Sequence, residues 1–300
     1  MKNTNSVFII AAALLLAGCA GPEARLKKVS PAVSAAGWKH DMGAVGKLSA
    51  SIKPEDLSPE RLRGYSDETL DAVHDALVKI SFYLPDEQSG ALRQEKAFEE
   101  KVRRGKASGE DAERMYNAFL MSGLFEKASA LRLGFPGDSL PEVPAIISGA
   151  DSAASGWRAY KISAEGKKAE LVSLPNDGPR MVMAMRPGCE FAEMAADAIF
   201  ADPELGPVFR ANGFMLTRKF DAAGVEAVKK RSGFDAVYIA RRSSDFPGFS
   251  LLRISPTFYF VKDGRILDEF SGWDNDEGGK YAKEKIRKGL AAIGIPAKTN

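Results

Sequence analysis

The sequence of 300 residues contains two cysteines, Cys19 and Cys189. Cys189 lies in AMRPGCEFAEMAADAIF, where an apolar run gives way to a predicted helix. A thiolate at a helix N-terminus is stabilised by unpaired backbone N–H groups and by the helix dipole, and Arg186 adds a nearby positive charge. Glu190 and burial under Phe191 act in the opposite direction. The stretch therefore allows attack of the thiol on a disulfide without fixing how reactive the thiol is.

Cys19 follows a segment with the layout of a secretory signal, which predicts a signal peptide over 1–19. A lysine precedes the apolar run SVFIIAAALLL, which is shorter than the roughly twenty residues of a membrane-spanning helix. Leu16 to Cys19 (LAGC) resembles the lipobox of bacterial lipoproteins. That resemblance implies an acylated Cys19 that holds the protein on a membrane facing the periplasm, and Ala20 after it favours the outer membrane. The alternative is a secreted protein without lipid.

If lipid occupies Cys19, Cys189 is the single thiol of the mature chain, and an internal disulfide is excluded. A leftover cysteine in an oxidising compartment is either reactive or paired with another protein.

Charge and composition exclude several other functions. Lysine and arginine total 42 against 40 acidic residues, and no basic block suggests a nucleic-acid partner. Neither a zinc-ligand spacing nor a phosphate-binding loop is present, so no metal and no cofactor is predicted. The expected partners are envelope proteins and, through Cys19, the lipid bilayer.

The first half of the chain predicts a flexible tether followed by an all-α domain. Residues 20–60 are rich in Ala, Gly, Ser and Pro without sustained periodicity, which favours a tether. Residues 61–136 show apolar residues at helical spacing, with predicted helices at 66–84, 90–104, 108–121 and 123–133. His74 is expected to be packed or solvated rather than a ligand.

One segment, YNAFLMSGLFEKASAL, loosely resembles a single tetratricopeptide unit. Because three units are normally needed for a stable solenoid, a plain helical bundle is the main prediction and a repeat fold the alternative.

The second half predicts an α/β domain over 157–295, after a linker over 137–156 that is rich in Pro, Gly and Ser. Strand-like runs alternate with helical stretches, and the chain ends in a hairpin around KDG and a last helix. This order predicts a central mixed sheet with flanking helices. The strands are expected at 158–163, 169–173, 180–185, 214–220 and 235–241, and in the hairpin 256–273.

Residues 157–295 resemble the thioredoxin-like superfamily, and more its membrane-anchored periplasmic members than the small cytosolic ones. Three features carry the resemblance: Cys189 at a strand-to-helix junction, Ser255-Pro256-Thr257 before FYF, and a terminal hairpin ending in glycine. The resemblance implies a cis Ser255–Pro256 bond facing Cys189. It also implies that the backbone around Ser255 and Thr257 pairs with an extended substrate, with Pro256 shaping the groove.

The sequence departs from that family at the redox motif, because Cys189-Glu190-Phe191-Ala192 lacks the second cysteine. Ala192 cannot resolve a mixed disulfide, so a dithiol cycle within one molecule is excluded. Three interpretations remain: a reactive monothiol acting on envelope proteins, a retained cysteine in a partner-binding module, and a peroxidase. Peroxiredoxins place Thr or Ser three residues before their cysteine, where this chain has Arg186.

A second apolar surface is possible beside the groove. An exposed apolar lip of this groove is one interpretation of four residues, Trp273, Phe246, Pro247 and Phe249. The preferred interpretation is that these side chains fill the core.

Overall fold

The structure, a computed structural model, describes residues 21–135, 140–148, 156–251, 254–274 and 278–296. The predicted signal peptide and Cys19 lie outside these residues. The described chain divides into two compact units, the first formed by 21–122 with 135, and the second by 123–134 with the described residues from 140 onward. Overall the protein is mixed α/β, with helices and a mixed sheet.

In the first unit, the described residues form helices only. They are α1 (Pro22–Lys27), α2 (Val29–Trp38), α3 (Met42–Ser51), a 3₁₀ turn (Pro54–Leu57), α4 (Pro59–Gly64), α5 (Asp67–Tyr83), α6 (Gln88–Arg103) and α7 (Gly109–Met121). Ser66 caps α5 and Ser108 caps α7 in a capping box, so that polar side chains satisfy amides at both helix starts. The predicted helices 66–84, 90–104 and 108–121 are confirmed within a few residues.

The segment predicted as a tether, 20–60, is instead helical over most of its described length. Leu26, Val33 and Val45 are fully buried and share one core with α5. Hydrogen bonds also stabilise this segment. The guanidinium of Arg25 donates to Asp56, and that of Arg93 donates to the Ser49 carbonyl. Small residues between these anchors allow the helices to pack closely. Because linkers are also rich in Ala, Gly and Ser, the composition alone does not distinguish such helices from a linker.

The second unit begins with α8 (Phe125–Gly134) and contains an eight-stranded sheet. Its elements are β1 (Ala145–Ser148), β2 (Trp157–Ile162), β3 (Lys168–Leu174), β4 (Pro179–Ala184), α9 (Glu190–Phe200), α10 (Leu205–Asn212), β5 (Gly213–Thr217), α11 (Ala222–Ser232), β6 (Val237–Ala240), β7 (Thr257–Lys262), β8 (Arg265–Ser271) and α12 (Lys280–Ala292). The predicted strands and helices of this half are present, and β1 lies within the predicted linker 137–156.

The predicted boundary at 136 also differs from the structure. Phe125 of α8 contacts Tyr160 and Phe220, so α8 belongs with the sheet. The segment that resembles a tetratricopeptide unit is divided between the two units, because α7 belongs to the first and α8 to the second.

The sheet has the order β1-β3-β2-β6-β5-β4-β7-β8. β4, β5 and β6 are parallel, whereas β7 runs antiparallel to both β4 and β8. Asp263 and Gly264 both have positive φ and form the two-residue turn of the predicted hairpin. The edge strands are β1, with four exposed residues, and β8, which alternates exposed and half-buried residues. β8 also carries a register shift against β7 near Phe260 and Val261.

One face of the sheet holds an aromatic core. Trp157, Phe246 and Phe249 pack there on one another and on Val182 and Tyr259. On α12, Gly289 lies directly over the Phe260 ring, where a Cβ would come within 2.3 Å of ring carbons. None of the helices in the described part is both long and apolar enough to cross a membrane.

A buried ionic cluster connects three helices of the first unit. His74 of α5 is 2 % exposed, and its Nδ1 lies 3.5 Å from Asp111 of α7, which also pairs with Lys101 of α6. Burial lowers the pKa of His74 to about 4, because desolvation of the imidazolium outweighs the attraction of Asp111. His74 is therefore a packed histidine, as predicted.

We expect the chain to lose stability on mild acidification. The unfolded histidine takes up a proton below pH 6.5 and the folded one only below about 4, so the free energy of unfolding falls as the pH drops through this window. Between pH 7.5 and 5.5 the expected loss is about 1.3 kcal/mol, measured by urea denaturation with far-UV circular dichroism.

Two variants isolate the cause. The difference between the two pH values should shrink in His74→Gln and persist in His40→Asn, which removes the other, exposed histidine. A pH difference unchanged in His74→Gln would contradict the assignment.

Candidate functional site

The site begins where β4 leaves the sheet. Met181 to Ala184 are all buried, because β4 lies between β5 and β7. Beyond the strand, Gly188 takes a φ of 76°, a left-handed conformation that suits glycine, and the Cys189 amide donates to the Arg186 carbonyl at 3.1 Å. This tight turn directs the chain from the sheet into α9.

Cys189 is the N-cap of α9, as the sequence predicts for a strand-to-helix junction. Its backbone is extended, and its carbonyl accepts the amides of Ala192 and Glu193, each at 3.0 Å. The thiol is half-buried. The residue begins a helix of eleven residues whose first backbone N–H groups lack intrahelical partners, but its side chain accepts no hydrogen bond from them.

Ser255 lies against Cys189, because β7 starts at Thr257, two residues later, and Thr257 pairs with Ala184 at the end of β4. The Cys189 thiol donates to the Ser255 carbonyl, with Sγ and O 3.4 Å apart, and the Arg186 amide donates to Ser255 Oγ at 2.9 Å. The Ser255–Pro256 bond is cis, as the resemblance implies. The structure thus brings together Cys189, Arg186, Ser255 and Pro256.

Two exposed apolar side chains lie beside these residues in the chain. Phe191, in the first turn of α9, is 48 % exposed, and Ile254, just before Ser255, is 50 % exposed. Arg186 and Glu190 are exposed as well. Ile254 was missed in the sequence, although its place before Ser-Pro in the predicted groove could have indicated it.

Thr257 does not have the place that the resemblance implies. It is buried, its backbone is paired with Ala184 on one side and Ser271 on the other, and its hydroxyl donates to the Ile254 carbonyl at 2.8 Å. Since both edges of this residue are already in the sheet, only the backbone before Pro256 remains for an extended substrate.

The predicted lip is absent from the surface. Phe246, Phe249 and Trp273 are buried, and Pro247 alone of the four is exposed. Phe246 and Phe249 fill the aromatic core, whereas Trp273 packs against Gly279 and Phe258. The preferred interpretation, core filling, therefore holds for all three aromatic residues.

The turn before Cys189 is supported from α11. A Cβ on Gly224 would lie 2.6 Å from Pro187 Cβ, so glycine permits the close contact between the start of α11 and this turn. Nothing in the local sequence signals this packing. Among the described residues, no group of three or more His, Cys, Asp or Glu side chains could hold a metal ion.

Comparison with family models, curated proteins and solved structures finds no match to the chain. What the site can do follows from its own geometry. It offers a half-buried thiol at a helix N-terminus, a carbonyl that accepts a hydrogen bond from the thiol, and two exposed apolar side chains.

We expect Ser255→Ala to loosen the turn before Cys189. The Arg186 amide would lose its acceptor, which costs about 0.5–1.5 kcal/mol of unfolding free energy and speeds hydrogen exchange at that amide. Exchange measured by NMR checks the local effect, and Ser255→Thr, which keeps a hydroxyl, serves as the control. An Arg186 exchange rate unaltered by Ser255→Ala would contradict the contact.

Proposed function

We propose that this protein is an envelope lipoprotein whose second unit is a thioredoxin-like domain performing monothiol exchange on the disulfides of other envelope proteins. The observation that carries the proposal is the position of Cys189, half-buried at the N-terminus of α9 and in contact with Ser255, two residues before β7. A thiol so placed is held by the sheet and still reaches solvent.

The strand order supports the thioredoxin-like assignment. Within the sheet, β5, β4, β7 and β8 are consecutive, with β4 and β5 parallel and β7 and β8 an antiparallel hairpin followed by α12. A strand, a helical connection, a parallel strand and a terminal hairpin with a helix make up the core of that fold. β6, β2, β3 and β1 extend the sheet beyond β5.

The proposed exchange proceeds in three displacement steps. The Cys189 thiolate attacks one sulfur of a substrate disulfide, a new S–S bond forms to Cys189, and the other substrate sulfur leaves with the bonding electron pair and takes a proton. An external thiol then attacks the substrate sulfur of the mixed disulfide, so that the S–S bond to Cys189 breaks, Cys189 leaves as the thiolate, and the substrate is joined to the external thiol by a new S–S bond. When a second external thiol completes the reduction, the two external thiols are oxidised to one disulfide, so electrons balance.

The external thiol is required because position 192 offers none. Ala192 is fully buried on α9, three residues after Cys189, where a resolving cysteine would lie. Recognition of the substrate falls to Phe191, Ile254 and the backbone before Pro256, which suit an extended segment with apolar side chains.

The proposed location rests on sequence alone. The signal layout over 1–19 and the lipobox at Cys19 favour a lipid anchor, on the outer membrane if sorting follows Ala20. Disulfide substrates are available in that oxidising compartment.

A non-catalytic partner-binding module is the second candidate. The fully buried Ala192 and the exposed pair Phe191 and Ile254 favour it, because a binding surface needs the apolar side chains and no resolving thiol. In that case Cys189 serves packing through its contact with Ser255.

We expect mixed disulfides between this chain and other envelope proteins to accumulate without any substitution. Non-reducing gels of cells treated with an alkylating agent should show high-mass species that disappear with reductant and in Cys189→Ser. If no high-mass species disappears on adding reductant or in Cys189→Ser, the binding module is favoured instead.

Two further variants test the missing resolving thiol. Ala192→Cys should release the mixed disulfides by forming a disulfide with Cys189, seen by mass as the loss of two hydrogens. Ala195→Cys, at another buried alanine of α9, is the matched control, because six residues of helix span about 9 Å and prevent pairing. Mixed disulfides equally abundant in both variants would contradict the proposed mechanism.

A further inference from the structure

The first unit exposes a continuous face along α1 and α2. Lys28, the one residue between the two helices, has nearly helical backbone angles, so α2 follows α1 without an extended residue between them. We call the exposed positions at spacings of three and four the outer face: Ala24, Lys28, Pro31, Ala35 and Trp38. The opposite side of the same helices is buried, with Leu26, Val29 and Val33 in the core.

The outer face ends in aromatic side chains. Trp38 is 84 % exposed, and the residue before it, Gly37, packs so closely under the Tyr83 ring that a Cβ would overlap it. Tyr83 in turn contacts the exposed Phe82 edge-on, with the ring centroids 5.1 Å apart. The Gly37 contact places the end of α2 next to Tyr83, and we call Trp38, Tyr83 and Phe82 together the aromatic patch. Tryptophan and tyrosine are the residues enriched at membrane–water interfaces.

Charge on and around the outer face suits an anionic surface. The face carries Lys28 and no carboxylate, and exposed Lys39 and Lys47 follow Trp38. Acids are present nearby as well. The Asp41 carboxylate accepts the Ala44 amide at the start of α3, half-buried Glu23 accepts a hydrogen bond from Ser66, and Glu87 is exposed four residues after Tyr83. Apolar and aromatic groups next to lysines are the composition of helices that lie in a membrane interface.

We infer that the outer face and its aromatic patch lie against the lipid bilayer, with anionic phospholipid headgroups as the ligands of the lysines. The inference rests on the proposed acylation of Cys19. Cys19 precedes Pro22 by three residues, which span at most about 11 Å even when fully extended. A lipid on Cys19 would therefore hold α1 at the membrane surface, and the outer face is the exposed side of the helices that begin there.

Trp38 provides the test. The chain has three tryptophans, and Trp157 and Trp273 are buried, so the component of emission accessible to aqueous quenchers comes from Trp38. The acylated full-length protein is reconstituted in phosphatidylethanolamine and phosphatidylglycerol vesicles. We expect the emission to shift to the blue, brominated phospholipids to quench it, and iodide to lose its effect.

Matched variants assign the signal. Trp38→Phe should abolish quenching by brominated lipid, whereas Leu133→Ala, which truncates a side chain with a similar exposure of 81 %, should leave it unchanged. Lys28→Glu should weaken lipid quenching in vesicles with phosphatidylglycerol more than in vesicles without it.

Failure of the inference and failure of the anchor give different results. Protein that floats with vesicles and still has Trp38 quenched by iodide, not by brominated lipid, would overturn the docking of the outer face and leave the anchor intact. An intact mass without acyl groups would overturn the anchor, and the docking inference with it.

Discussion

The register between β4 and β7 is the constraint on which the site depends. Ala184 lies opposite Thr257, and this pairing brings Cys189 and Ser255 into contact although 66 residues separate them. Both strands are buried on both faces, with Val182 and Tyr259 packed in the aromatic core. A slip by one residue would exchange the two faces of a strand, so the same packing that stabilises the sheet also fixes the thiol against the Ser255 carbonyl.

Support for the site extends into the helices of the second unit. The close contact of Gly224 with Pro187 fixes the turn before Cys189 from α11, while Gly289 allows α12 to approach Phe260 of β7. Neither glycine is near the thiol in sequence. The geometry at Cys189 is therefore a property of the sheet and its helices rather than of one loop.

Much of the secondary structure could be predicted, because the relevant signals are local. Helical periodicity and the caps Ser66 and Ser108 mark α5 and α7, and the apolar run RMVMAM marks β4. The helices within the first sixty residues could not be predicted from such local signals. These helices bury a few widely spaced anchors such as Leu26 and Val45 among small residues, and burial of that kind is decided by tertiary partners on α5 rather than by local pattern.

The site was partly predictable for a different reason. The contact between Cys189 and Ser255 follows from a resemblance in the order of motifs, and no spacing along the chain would indicate it. Details of the site that depend on tertiary contacts could not be predicted from the sequence. Thr257 is paired on both sides, Ile254 is exposed, and Trp273 is buried against Gly279. Exposure of an apolar side chain in a loop depends on which elements cover it, which the sequence does not state.

The two edges of the sheet have a further consequence for contacts between copies of this protein. An unpaired strand edge can template pairing with a neighbouring molecule, and long, flat apolar edges do so most readily. Here β1 has only four residues, and β8 exposes Arg265 and Glu269 next to a register shift. The short length of β1 and the charged side chains and register shift of β8 disfavour edge-to-edge polymerisation of adjacent copies.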